Sequence, residues 1–177
     1  MNKIKIIIGI IFAFLIVYLL QANFFSWFNL AGVKPNLFVI LVLTIGLFSG
    51  RSMGATFGIL FGLCLDFFIG KSVGIYGCML GIVGIIGGYL DKNFSKDSRI
   101  TIITMITFVT VIFELGTYLL NVAVNSYQIN TIYFIKLLII ELMFNIILTI
   151  IIYPLIIKFG YKIEETFKEN KILTRYF

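Results

Sequence analysis

The sequence predicts an all-α polytopic membrane protein with six transmembrane helices, and three observations predict it. Hydrophobic residues make up 60% of the 177 and charged residues only 12%, against about 45–50% and about 25% in ordinary soluble domains. The apolar residues fall into runs near the roughly 20 needed to cross a hydrocarbon core about 30 Å thick. Those runs are too long and too uniformly apolar for barrel strands of about 10 alternating residues, so their backbone groups must be satisfied within helices.

The N-terminal MNKIKIII sets Lys3 and Lys5 before an apolar run, as a secretory signal would. That run continues to Leu20 and into QANFFSWF without a small-x-small cleavage pattern, so Ile4 to Leu20 reads as an uncleaved first span. Leu37 to Ser49 is short, but Pro35 in the preceding VKPNL suits a helix start, where its missing N–H is harmless, and lets the second helix run from near Pro35 to Gly50. Met53 to Ile69, Val73 to Leu90, Ile100 to Val124 and Ile132 to Ile157 complete the set.

Length alone leaves five spans or six; charge decides. Lys and Arg concentrate in short cytoplasmic loops. With six spans and a cytoplasmic N-terminus, eleven of the 14 basic residues share one face and only Lys34, Lys71 and Lys136 lie on the other. Merging the second and third spans would scatter them across both faces. Both termini are therefore expected in the cytoplasm. Residues 1–158 form the transmembrane domain, and 159–177, Phe159 followed by GYKIEETFKENKILTRYF, form a cytoplasmic amphipathic or disordered tail. Its apolar Ile163 and Phe167 and interleaved charges suit a helix lying on anionic lipid.

Gly46, Gly50, Gly54, Gly58 and Gly62 recur every fourth residue, and Gly77, Gly81, Gly84 and Gly88 give the fourth span a similar face. Small residues at this spacing let helix backbones approach closely, which replaces in lipid the hydrophobic drive that water supplies. A tight three-helix cluster is expected, its smooth face meeting a span of this chain or of a partner. No phosphate loop is implied: GxxxxGK[ST] is absent, and no strand leads into the glycines.

Charged groups at membrane depth are costly, and so are functional candidates. Asp66 lies one turn before the outer end of the third span. Across Gly70 it is placed to accept backbone N–H groups or to meet Lys71 in the turn that leads to Gly74. Glu114 and Glu141 fall near the middle or outer half of the core, where they can share a level. Paired, they would suit proton coupling; singly, each can bond to Asn145, Asn121, Thr117 or Tyr118. With no histidine, the chain lacks HExxH, a Ser-His pair and any imidazole base. Cys64 and Cys78 sit in apolar segments as small hydrophobes and make a poor metal site. No cofactor or metal is expected. The net charge of +6 is spread over short loops, which gives no nucleic-acid face.

One family shares this order of features. Leu20-Gln21 closes the first span, Pro35-Asn36-Leu37 opens the second, Gly62-Leu63 precedes Asp66, Gly70 and Val73-Gly74, and a tail follows Tyr153-Pro154. In these features and in length the chain resembles the bacterial rod shape-determining protein MreD family, although that family often has leucine where Val73 stands. The resemblance implies a non-enzymatic subunit of the cell-elongation machinery in the bacterial cytoplasmic membrane. It implies MreC as direct partner and, through MreC, the actin-like MreB, the glycosyltransferase RodA and the elongation-specific penicillin-binding transpeptidase. It also implies a fold similar to the substrate-binding subunits of energy-coupling-factor transporters. A small-molecule-binding subunit of such a transporter, its pocket lined by Glu114, Glu141 and aromatic residues, is the alternative.

Overall fold

The computed structural model describes residues 3–27, 32–69, 74–94, 96, 98–125 and 130–168. Among these the regular elements are all helices. Helix α1 (Lys3–Leu19) continues through a π-helical turn (Leu20–Phe24) and a last turn (Phe25–Trp27); α2 (Leu37–Ser49), α3 (Arg51–Ile69), α4 (Ile75–Asn93), α5 (Arg99–Asn125) and α6 (Thr131–Lys168) follow. Four stretches are long and apolar enough to cross a membrane, Lys3–Phe24, Arg51–Phe68, Arg99–Val124 and Thr131–Lys168, while α2 and α4 are shorter apolar helices.

Helix α2 explains the arrangement. It is apolar on every side, as befits a helix buried on every side, and 11 of its 13 residues are buried. It packs against all five other helices. At 1.5 Å per residue it is only about 20 Å long, shorter than the hydrocarbon core, so the surrounding helices shield it from lipid. Asn36 starts it by accepting from the Val39 N–H at 3.4 Å, and the hydroxyls of Thr44 and Ser49 bond back to the carbonyls of Ile40 and Ile45. Gly50 ends it. With φ 91° and ψ 176° this single residue joins α2 to α3, a backbone geometry open in practice to glycine alone. The chain folds back there, bringing Gly46 beside Gly54. Two helices with a reversal between them occupy the stretch where length alone allowed one long span.

The outer helices bury one stripe each. In α1 only Ile6, Ile10 and Phe14 are buried, four residues apart, and Phe14 stacks on Phe61 of α3 at 4.3 Å between ring centres. Ile4, Ile8, Phe12 and Leu19 face outward. Helix α6, with 38 residues, spans about 57 Å, well beyond the hydrocarbon thickness. Asn130 caps it through the Tyr133 N–H. It runs unbroken past residue 158 to Lys168, and residues 169–177 lie outside the described region.

Candidate functional site

The glycine stripe packs against the chain's own fourth helix. Helices α3 and α4 form the most extensive pair in the fold. A methyl group added at Gly54 would stand 2.5 Å from the Gly84 carbonyl oxygen; at Gly58 it would fall on the Leu80 carbonyl, and at Gly62 on that of Tyr76. Gly46 of α2 meets the same Gly84 carbonyl, while Gly88 presses on the backbone of Arg51. These are backbone-on-backbone contacts, which no rotamer change can relieve. The face is thus filled from within. Gly50, though in register, belongs to the turn, as does Gly74 with φ 100°; Gly70 lies outside the described residues.

Asp66 closes the same helix pair at the end where α3 leads into α4. Its carboxylate is 1% exposed and accepts three backbone N–H groups: Gly74 to Oδ2 at 2.9 Å, Tyr76 to Oδ1 at 3.0 Å and Gly77 to Oδ2 at 3.0 Å. The first turn of α4 has no intrahelical acceptors for these donors, and its positive dipole end favours an anion. Asp66 on α3 therefore caps α4. Its expected alternative partner, Lys71, falls outside the described residues.

Deeper in the bundle a second polar group joins α2, α5 and α6. Asn145, fully buried, accepts the Asn36 N–H at 2.9 Å and donates to the Thr110 hydroxyl at 3.2 Å. The Thr149 hydroxyl bonds to the Asn145 carbonyl. Glu114 and Glu141 come together beside it, near enough to influence each other electrostatically, and both lie close to Asn36. Tyr76 lies within electrostatic reach of both and of Asp66. The partners that spacing suggested for the glutamates are used differently: Asn145 serves Asn36 and Thr110, and the Asn121 amide donates to the Thr117 carbonyl. Glu141 Oε1, Thr117 Oγ1 and the Tyr118 hydroxyl are buried without a hydrogen-bond partner among the described residues.

The opposite end of the bundle holds a cluster that sequence reasoning missed. Lys96 bridges Asp91 and Glu164, both at 2.6 Å, and Lys168 bridges the same two carboxylates at 2.6 and 3.4 Å. Lys168 also donates to the Leu47 carbonyl at the end of α2, and the Lys96 ammonium lies 4.9 Å from the centre of the Phe48 ring. Burial disfavours the Lys96 ammonium, but its bonds to Asp91 and Glu164 more than offset this and hold its pKa above the ordinary lysine value. The network ties the ends of α2, α4 and α6 and the α4–α5 loop together. Its signal was the Glu164–Lys168 spacing of four, which was absorbed into the reading of residues 159–177 as a tail.

No curated protein and no solved structure matches the chain, so the likeness to energy-coupling-factor subunits rests on the sequence resemblance alone. A family model, the rod shape-determining protein MreD, matches residues 1–163, from the first span through all six helices to within five residues of the end of α6. A glycine-locked helical membrane bundle that matches over this length is a member of the MreD family of rod shape-determining proteins.

Proposed function

We propose that the chain is a non-enzymatic scaffold of the cell-elongation machinery, binding MreC and through it MreB, RodA and the elongation-specific transpeptidase, with both termini in the cytoplasm. The observation that carries this reading is the interlocked α2–α3–α4 core. Its glycine faces are filled by the chain itself, which makes a rigid body whose outward apolar faces, such as Ile8, Phe12 and Leu19 of α1, are available to spans of other subunits. Close packing of this kind fixes the relative positions of docking helices. Gly58→Leu and Gly62→Leu, compared with wild type at equal membrane abundance, are expected to weaken co-purification with MreC and to round the cells. An intact complex and normal shape with both variants would count heavily against the scaffold.

One observation favours a second reading, a small-molecule-binding subunit: the Glu114–Glu141–Asn36 group with its unpartnered Glu141 oxygen. A metabolite that survives purification and is lost in Glu141→Gln would support it. Purified protein without such a ligand, together with normal cell shape in Glu114→Gln and Glu141→Gln, would oppose it.

A further inference from the structure

At the membrane face where α5 begins, α5 and α6 enclose a groove of about 510 Å³, lined by Arg99, Ile150, Tyr153, Pro154, Ile157 and Lys158 among others. Its volume falls within the roughly 300–1,000 Å³ of pockets that hold small organic molecules. We propose that it binds the headgroup and upper acyl chain of an anionic phospholipid.

The charges are arranged for a phosphate. Arg99 opens α5, the end of the helix whose dipole favours anions. Its guanidinium carbon sits 5.3 Å from the centre of the Tyr153 ring, which holds it over α6. Lys158 projects from α6 one turn after Pro154. Of the other lysines at this end, Lys96 and Lys168 are neutralised by Asp91 and Glu164, and Lys162 does not line the groove. Arg99 and Lys158 have no carboxylate partner among the described residues, and no carboxylate lines the groove there. Two unpaired cations above an apolar trough match an anionic headgroup above its acyl chain. Pro154, inside α6, adds a polar feature: it has no N–H, so the Ile150 carbonyl loses its helical donor and can accept from a headgroup hydroxyl.

The test is native mass spectrometry of the full chain released from bilayers containing equal phosphatidylglycerol and phosphatidylcholine. Wild type is expected to retain phosphatidylglycerol in preference; equal retention overturns the proposal. Arg99→Gln and Lys158→Gln should each reduce that preference roughly fivefold, as expected for one surface cation. Ile151→Trp, which fills the groove and keeps both charges, should reduce it as well. Unchanged preference in the double Arg99→Gln/Lys158→Gln variant overturns the site. So does an equal loss in Lys3→Gln/Lys5→Gln, which would assign the effect to bulk surface charge.

Discussion

The backbones of Gly54 and Gly84 meet without room for one methyl group between them: a Cβ on Gly54 would stand 2.5 Å from the Gly84 carbonyl oxygen and 2.7 Å from the Gly46 α-carbon. Three helices converge at this point. Gly84→Ala and Gly54→Ala must therefore push backbones apart, which places them at or above the usual cost of overpacking, about 1–3 kcal/mol. Gly9→Ala is the matched control. There the nearest atoms belong to Phe159 at an ordinary 3.8 Å, and the gain in helix propensity, up to about 1 kcal/mol, makes the change neutral or stabilising. Thermal unfolding in detergent should separate the two classes; equal midpoints for Gly9→Ala and Gly84→Ala would refute the tight seam.

The stripe itself was legible in sequence because a spacing of four is a helix property that survives any tertiary arrangement. Its partner was not, since the same small-residue face can meet α4 or a foreign helix, and only the one-residue reversal at Gly50 directs it inward. Gly50 shows the limit most plainly: it keeps the register of Gly46 and Gly54, yet serves a turn because of its φ. The Glu114–Glu141 pairing was partly legible, because depth along two antiparallel helices can be counted at 1.5 Å per residue. Which amide would serve which carboxyl depended on helix rotation, and Asn145 turned toward Asn36 and Thr110. Within the ion network the Lys96–Glu164 and Asp91–Lys168 contacts join residues 68 and 77 positions apart, a relation that the local Glu164–Lys168 spacing of four does not record.

Asp66 is expected to behave as a cap. Asp66→Ala orphans three N–H groups, that of Gly77 buried and those of Gly74 and Tyr76 partly buried, at up to about 1–3 kcal/mol each before relaxation. Asp66→Asn keeps one acceptor oxygen and turns an amide donor toward the helix N-terminus, so it should lie between alanine and wild type. Hydrogen exchange of the Tyr76 and Gly77 amides is the direct readout. Protection equal to wild type in Asp66→Ala would show that the carboxylate does not hold the first turn of α4.

Asn145 couples α6 to the start of α2 and the middle of α5. Asn145→Leu removes the acceptor of the Asn36 N–H and the donor to Thr110, both buried. An unsatisfied buried donor costs about 1–3 kcal/mol, so this variant should lower the unfolding midpoint clearly. Thr110→Val deletes only the hydroxyl and keeps the shape, and should cost about 1 kcal/mol or less. If Thr110→Val proves as damaging as Asn145→Leu, the bond to Asn36 is not the principal one.

The ion network should couple its members, and the Lys96 contribution should persist into alkaline solution. Side chains 13–25% exposed place it between surface pairs, worth about 0–1 kcal/mol, and buried ones, whose disruption costs about 3–5. Lys96→Met is thus expected to cost about 1–3 kcal/mol. Its combination with Glu164→Gln should be less than additive, because both changes remove the same bond. The Lys96 pKa is held above the ordinary 10.5 by the two carboxylates. A group raised in the folded state contributes fully below its unfolded pKa and loses that contribution only as pH climbs through the folded value. The gap in unfolding midpoint between wild type and Lys96→Met should therefore stay constant from about pH 7 to about pH 9.5 and narrow only beyond the ordinary lysine pKa. A gap that closes near neutral pH would mean that the Lys96 ammonium gains nothing from Asp91 and Glu164.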